Sequence, residues 1–412
     1  MKWRVKKSTL AGSVAVPPSK SHSIRAVLFA SMAKGRSTID NLLPSPDVDC
    51  AIEAMRSAGA VIANGKIDGV DGKPKFNGVI NAGNSGQVLR FVGALAALGE
   101  KPVMITGDDS LQKQRPVSPL IEALQVLGAE AKEDKGLFVK GPVMGGKTTL
   151  SGEDSQPVSA ILMMAPFLSG RTELEVRKSG EKAWIDLTLY WLKKLGVKCG
   201  HEEYKRYWVE GDKTIDAFDY SVPGDWSAAA FPLAAALVTG SKLTVDKLDM
   251  DDAQGDKAIV DVLRLMGAEI VVKGTSITIK PVAELKGAEI DINPLIDAVT
   301  ILAVLACFAT TSTRIYNGAV ARTKECDRLN CITLELKKMG ADIVEAEDSL
   351  IINPAKLQGA KVKSHGCHRM AMSLAIAAMG ADGITEIDGV QWAAKSFPNF
   401  KEVMQAVGAN IE

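Results

Sequence analysis

Apolar positions recur along this chain in a long cycle. A stretch with apolar residues three and four apart runs into a Gly, and an alternating, strand-like stretch starts straight after it. The segments MRSAGAVI, LQVLGAEA, LKKLGVKC, LRLMGAEI, LKKMGADI and MQAVGANI carry this junction, with glycines at Gly59, Gly128, Gly196, Gly267, Gly340 and Gly408. Intervals of 68 to 73 residues between them mean six copies of one unit. Each Gly follows the last helical turn, where the backbone turns left-handed and a residue without Cβ does so at no steric cost. In the fourth copy Ile259, Val262, Leu263 and Met266 mark the i, i+3, i+4, i+7 stripe of an amphipathic helix.

Every unit carries a second helix that is apolar on nearly all sides, such as AVTILAVLACFA or MAMSLAIAAMG. Such a helix must be buried all round. The six begin near Ser23, Gln87, Val158, Ser227, Asp297 and Arg369, and Pro166 and Pro232 fall inside two of them, where they break or bend the hydrogen-bond ladder. The predicted architecture is α/β: three central helices per domain, wrapped by sheets and outer helices.

The chain of 412 residues suits two domains of about 200 residues better than one core. Pro-marked breaks stand at Val16-Pro17-Pro18 and Val222-Pro223-Gly224. After Gly408 only four residues remain, whereas Lys2 to Val16 read as strand belonging to no unit. The N-terminal segment is therefore expected to complete the last repeat. Domain one would span 18–222 and domain two 1–17 with 223–412, the two chain crossings forming a hinge.

Charge narrows the classes of function. Lys plus Arg equals Asp plus Glu at 49 each, so no global field draws in nucleic acid or an acidic membrane. The longest apolar stretch, Ala298 to Ala309, is too short to span a bilayer, and MKWRVKKSTL lacks the hydrophobic segment of a secretory signal. A cytoplasmic location and a monomer are expected. Six cysteines without a CxxC pair suit reduced thiols and read as small apolar fillers.

The chemically unusual residues cluster just before or at the starts of the apolar helices: PSKSHSIR, NAGNSGQVLR, EDSQPVSA, PGDWSAAA, PLIDAVT and GCHRMAM. Unpaired N–H groups and partial positive charge at a helix N-terminus hold anions, so several such ends aimed at one place would trap one. Lys20, Ser21 and Arg25 enter the first helix; a capped surface helix with solvated cations explains that segment alone equally well. Asn84 and Gly86 lie in NAGNSG, whose small residues let backbone N–H groups close on an anion, and Arg90 follows one turn later. Arg115, Lys324, Glu325, Arg328, Arg369 and Lys395 add further charge in KQRP, TKECDRL, HRMAM and AAKSFP.

In this order, SKSxSxR, GNSG, RP, DSQ, PGDWSAA, QGD, DA, KExDRL, HRMAM and AKSFP resemble the 5-enolpyruvylshikimate-3-phosphate synthase family over essentially the whole chain. The resemblance implies an enolpyruvyl transferase fold: a two-domain inside-out α/β barrel of six βαβαββ-like repeats, three per domain, with the active site in the cleft at the hinge. It implies transfer of the enolpyruvyl group of phosphoenolpyruvate to the 5-hydroxyl of shikimate 3-phosphate, with no cofactor and no metal. Lys20, Asn84, Gly86, Arg115, Gln156, Arg328, Arg369 and Lys395 would bind phosphoenolpyruvate, and Ser21, Arg25, Ser155, Gln156, Asp297 and Lys324 the acceptor. Glu325 would be the acid and Asp297 the base, with Lys20 assisting; an N-cap is the competing role for Asp297.

Departures from the family pattern fall on the acceptor side. Asp154 and Glu181 stand where the family has serines for the 3-phosphate, and Gln87, Phe91 and Cys367 replace a Thr, a Pro and an Asp. A cyclic hydroxy acid without the phosphate, such as shikimate or a hydroxybenzoate, therefore remains an alternative acceptor. The resemblance also puts glyphosate near Gly86. A related class that transfers the same group to a nucleotide sugar uses a loop cysteine, and GDDSLQKQRPVSP has none.

Two patterns are decoys. GPVMGGKT over 141–148 spells GxxxxGK[ST], but a phosphate loop needs a helix after it, and TTLSGEDSQP reads as strand and turn. His365, Cys367 and His368 lack a fourth ligand nearby, so no metal is expected there.

Overall fold

In the computed structural model, which describes residues 1–412, all six repeat glycines adopt positive φ, from 71° at Gly196 to 106° at Gly408. Each closes an outer helix and launches the strand that follows. The stripe read in the fourth repeat is the buried face of helix Ile259–Leu265: Ile259, Leu263 and Met266 are all buried.

The six apolar helices are α1 (Lys20–Met32), α2 (Gly86–Ala96), α3 (Ser155–Met164), α4 (Trp226–Val238), α5 (Val299–Cys307) and α6 (His368–Gly380). All are buried on nearly every side. Two starts and ends differ from the pattern. A 3₁₀ turn, Asn293–Ala298, precedes α5 and is kinked at Leu295, so Asp297 lies ahead of the helix. Pro166 has no N–H to continue the ladder, and α3 gives way at Met164 to a 3₁₀ turn, Ala165–Phe167. Pro232 stays within α4.

Each repeat builds a four-stranded sheet of one topology: two parallel strands, then two antiparallel ones, in spatial order first, second, fourth, third. The strand Lys147–Ser151, for example, runs parallel to Thr172–Arg177, which pairs antiparallel with Arg206–Val209 and then Cys199–Glu202. By contacts the chain divides into Met1–Ser19 with Pro223–Glu412, and Lys20–Val222.

The unit Lys20–Val222 holds three complete sheets around α1, α2 and α3; its first repeat takes its leading strand, Asp219–Ser221, from the far end of the unit, parallel to Arg36–Asp40. In the other unit α4, α5 and α6 pack against one another. Its N-terminal segment is two strands rather than one. β1 (Lys2–Lys6) pairs antiparallel with Ile384–Asp388 and Asn410–Ile411, completing the sixth repeat. β2 (Ala11–Ala15) runs parallel to Lys242–Asp246 and completes the fourth. Between them Ser8 N donates to Met379 O and Ala11 N to Val407 O, so the chain is redirected where the sequence showed one continuous strand. No helix is long and apolar enough to cross a membrane.

Lys147 begins a strand, its side chain exposed and 3.4 Å from Glu173. The loop runs into that strand and not into a helix, and α3 begins only at Ser155, so no helix N-terminus meets this loop to present N–H groups to a phosphate.

Candidate active site

In the unit Lys20–Val222, the first turns of α1 and α2 meet. Gln87 Nε2 donates to Ser21 Oγ at 3.1 Å, and Lys20 Nζ is 3.4 Å from Asp47 Oδ2. Arg25 is fully buried; its Nε and Nη2 donate to Thr188 Oγ1 at 3.2 and 2.8 Å, and its Nη1 to Ser21 O at 3.2 Å. Those acceptors are all neutral, and Phe91 offers only its ring face, 5.1 Å away. Burial pulls the Arg25 pKa down to about 9. A cation held this way suits an incoming carboxylate.

One turn further along α2, Arg90 is buried, donating to Gln156 Oε1 at 2.8 Å and Pro116 O at 2.8 Å. Asp154 Oδ2 is 3.5 Å away, and Arg90 Nε has no partner. Gly86 makes room for this group: a Cβ there would sit 2.5 Å from Arg115 Nη1 and 2.9 Å from Arg90 Nη1. Only a residue without a side chain lets the two guanidinium groups come so close to the start of α2. Asn84 donates to Asp108 and, at 2.8 Å, to Ser110 Oγ, fixing the short helix that leads to Arg115.

The two unexpected carboxylates have local work. Asp154 caps α3, accepting from Gln156 N at 2.9 Å. Glu181 is buried at φ 44° and accepts from both Ser155 N at 2.9 Å and Ser155 Oγ at 3.0 Å. Ser155 thus meets a carboxylate of the protein itself.

The other unit gathers Asp297, Glu325, Arg328, Arg369 and Lys395. Arg328 joins both carboxylates: Nη1 donates to Asp297 Oδ1 and Nη2 to Glu325 Oε2, each at 2.7 Å. Arg369 Nη2 donates to the second oxygen of Asp297, and Lys395 Nζ to Glu325 Oε1 at 2.9 Å. Asp297 caps nothing. Burial opposes its charge, but Arg369, Arg328 and Lys324 overcome that and hold it well below the usual carboxylate range. Arg328 Nε and Arg369 Nε are buried without partners. Four cations, Arg328, Arg369, Lys324 and Lys395, face two carboxylates, and N–H groups remain for a further anion.

Neighbouring groups escaped the sequence reading. Thr188, the support of Arg25, is a lone polar residue on the buried face of helix Lys182–Lys194. Asp256 is buried behind Asp297 and accepts from Ser227 Oγ at 2.6 Å; burial first, then Asp297, push its pKa up to about 7. QGD stood only as one of the family-like motifs, and nothing in the pattern showed that it packs on the turn bearing Asp297. The histidine run is dispersed: His365 Nε2 is 2.6 Å from Glu335 Oε1, and His368 Nδ1 pairs with Ser396 Oγ.

Two groups of buried cations, set at helix starts on a repeated α/β scaffold, define an enzyme that handles small polyanions. The fold is shared with the EPSP synthase of Acinetobacter baumannii, whose solved structure superposes with a TM-score of 0.83 at 26% identity over 100% of this chain and 99% of that one. The family model for EPSP synthase (3-phosphoshikimate 1-carboxyvinyltransferase) matches residues 5–404, and the chain belongs to that family. Proteins named 3-phosphoshikimate 1-carboxyvinyltransferase from Acetivibrio thermocellus and Chlamydia caviae are each 41% identical to it, over 100% of this chain and 99% and 94% of theirs.

Proposed function

We propose that this enzyme transfers the enolpyruvyl group of phosphoenolpyruvate to the 5-hydroxyl of shikimate 3-phosphate, releasing phosphate, on the route to chorismate and the aromatic amino acids. The observation that carries this is Arg328 bound to Asp297 and Glu325 together, with Arg369 and Lys395 on their outer oxygens. Addition followed by elimination needs a base at the acceptor hydroxyl and an acid at the methylene carbon. A pair of carboxylates poised by shared cations supplies both.

Phosphoenolpyruvate carries nearly three negative charges, so its arrival diverts Arg328, Arg369 and Lys395 from the carboxylates. Asp297 then regains basicity and takes the hydroxyl proton; Glu325, its pKa raised beside the anionic substrate, takes up a proton from solvent and delivers it to C3 of phosphoenolpyruvate. After phosphate leaves, the methyl proton returns to the enzyme. The substrate thereby switches on the groups that transform it.

Lys20, Asn84, Gly86, Arg115 and Gln156 are assigned to the same phosphoenolpyruvate, and Ser21, Arg25, Ser155 and Lys324 to the acceptor, Arg25 taking its carboxylate. Domains 18–222 and 1–17 with 223–412 act together through closure at the hinge, which couples binding to catalysis. The enzyme works as a cytoplasmic monomer.

Glu181 on Ser155 favours one competing reading, an acceptor without the 3-phosphate. Phosphate release from phosphoenolpyruvate, measured with shikimate 3-phosphate, shikimate or no acceptor, separates the two. Release dependent on shikimate 3-phosphate is expected; release only with shikimate would overturn that choice of acceptor, and none with either would overturn the assignment.

A further inference from the structure

Three of the six free cysteines gather beside Glu325. Cys326 follows Glu325 and precedes Asp327, the N-cap of helix Arg328–Lys338. Cys326 and Cys331 therefore occupy the two positions that staple a helix start, one before the cap and one in the next turn. The Cys326 sulfur neighbours those of both Cys331 and Cys367. Cys331 also hydrogen-bonds His365, and Cys367 Sγ lies 4.0 Å from Glu325 Oε2. Packing alone would be served by any small apolar side chain at these places; a chain of three touching thiols ending on an imidazole has redox chemistry available to it.

We propose that Cys326 and Cys331 form a reversible disulfide on exposure to hydrogen peroxide, and that this bridge stops turnover by displacing Glu325. Cys331 reacts first: hydrogen bonds from Cys326 and His365 favour its thiolate against the effect of burial, and it is 7% exposed where Cys367 is fully enclosed. Its sulfur takes one oxygen of the peroxide as the O–O bond breaks. The hydroxide released picks up a proton and leaves as water, and Cys331 becomes a sulfenic acid. Cys326 sulfur then attacks that of Cys331, expelling the hydroxyl, which departs with the Cys326 proton as a second water. Peroxide is reduced, and two thiols are oxidised to one disulfide. Closing the bond draws Cys326 away from Cys367 and toward the helix, and Glu325, the adjoining residue, leaves Lys395 and Arg328. The effect on turnover rests on the role proposed for Glu325; the bridge itself does not.

The test treats reduced full-length enzyme with hydrogen peroxide, maps disulfides by peptide mass after alkylation, and assays phosphate release before and after dithiothreitol. A Cys326–Cys331 bridge is expected, with kcat lowered at least ~10-fold and restored by the reductant. Cys326→Ser and Cys331→Ser should keep the untreated kcat and lose the sensitivity. A bridge to Cys367, or equal inactivation of Cys326→Ser, would overturn the proposal. Should the variants fold poorly, the map and its reversal in the unmutated enzyme decide alone. A bridged enzyme of full activity refutes the coupling to Glu325 and leaves the reaction standing, whereas reduced enzyme without turnover refutes the reaction while the map still reads the thiol chemistry.

Discussion

A single guanidinium, that of Arg328, settles how the two carboxylates stand relative to each other, since it binds one oxygen of each. Removing either carboxylate leaves the cations in place and deletes one proton-transfer group. Asp297→Ala and Glu325→Ala are each expected to lower kcat by at least ~10²-fold with an unchanged circular dichroism spectrum; near-normal turnover in either would remove that residue from the mechanism. Asp256 makes a different kind of prediction. In the unfolded chain it ionises near 3.8, and in the fold it keeps its proton until about 7. Between those values the folded state holds a proton that the unfolded state has lost, so this group's contribution to stability falls as pH rises from about 4 to 7 and is flat above. Asp256→Asn keeps a partner for Ser227 and removes the titration. Relative to the parent it should gain about 2–3 kcal/mol between about pH 5 and pH 8 in urea unfolding; a constant difference across that range would refute the assignment. At this scale the sequence showed which residue types gather at helix starts but not what they touch. Glu181 read as a charge opposing the substrate, yet it binds Ser155, a contact between positions 26 residues apart that only the packing of two helix starts creates.

The outer helices end the same way six times because the same physical constraint recurs, a left-handed turn directly before a strand. Gly128 isolates that constraint: it has φ 105°, and an added Cβ would meet nothing within 4 Å. Gly128→Ala should therefore lower stability by about 1–2 kcal/mol through backbone strain alone, with kcat unchanged; a neutral substitution in chemical denaturation would show that the turn tolerates a side chain. Periodicity and glycine placement made these helices and strands legible, since both signals are local. The start of α5 was not. AVTILAVL looks helical from its first residue, but Pro294 and the kink at Leu295 hold Asn293–Ala298 in a 3₁₀ turn. Asp297 is thereby kept off the cap position and left to meet Arg328 and Arg369.

On the scale of the whole molecule the two units differ in what they need from the rest of the chain. Lys20–Val222 contains every strand of its three sheets, whereas the sheets of the fourth and sixth repeats draw β2 and β1 from the first nineteen residues. A fragment of residues 20–222 should unfold cooperatively by itself. A fragment of 223–412 should not, until a peptide of residues 1–19 is supplied or fused to its C-terminus; a cooperative transition in the bare fragment would show that β1 and β2 are dispensable. The sequence disclosed the unpaired strand at one end and the missing one at the other. It could not disclose that the segment serves two repeats, because a pairing across some 400 positions leaves no mark on either stretch.

That pairing has a consequence for synthesis. β1 leaves the ribosome ahead of everything it binds, and Asn410–Ile411, its neighbour in the finished sheet, comes last. At about 5–20 residues per second the leading segment waits tens of seconds with its ladder groups exposed, while the middle of the chain folds without it. Premature pairing with a neighbouring nascent chain is the hazard of that interval, and an arrested translation product should be far stickier than the released protein.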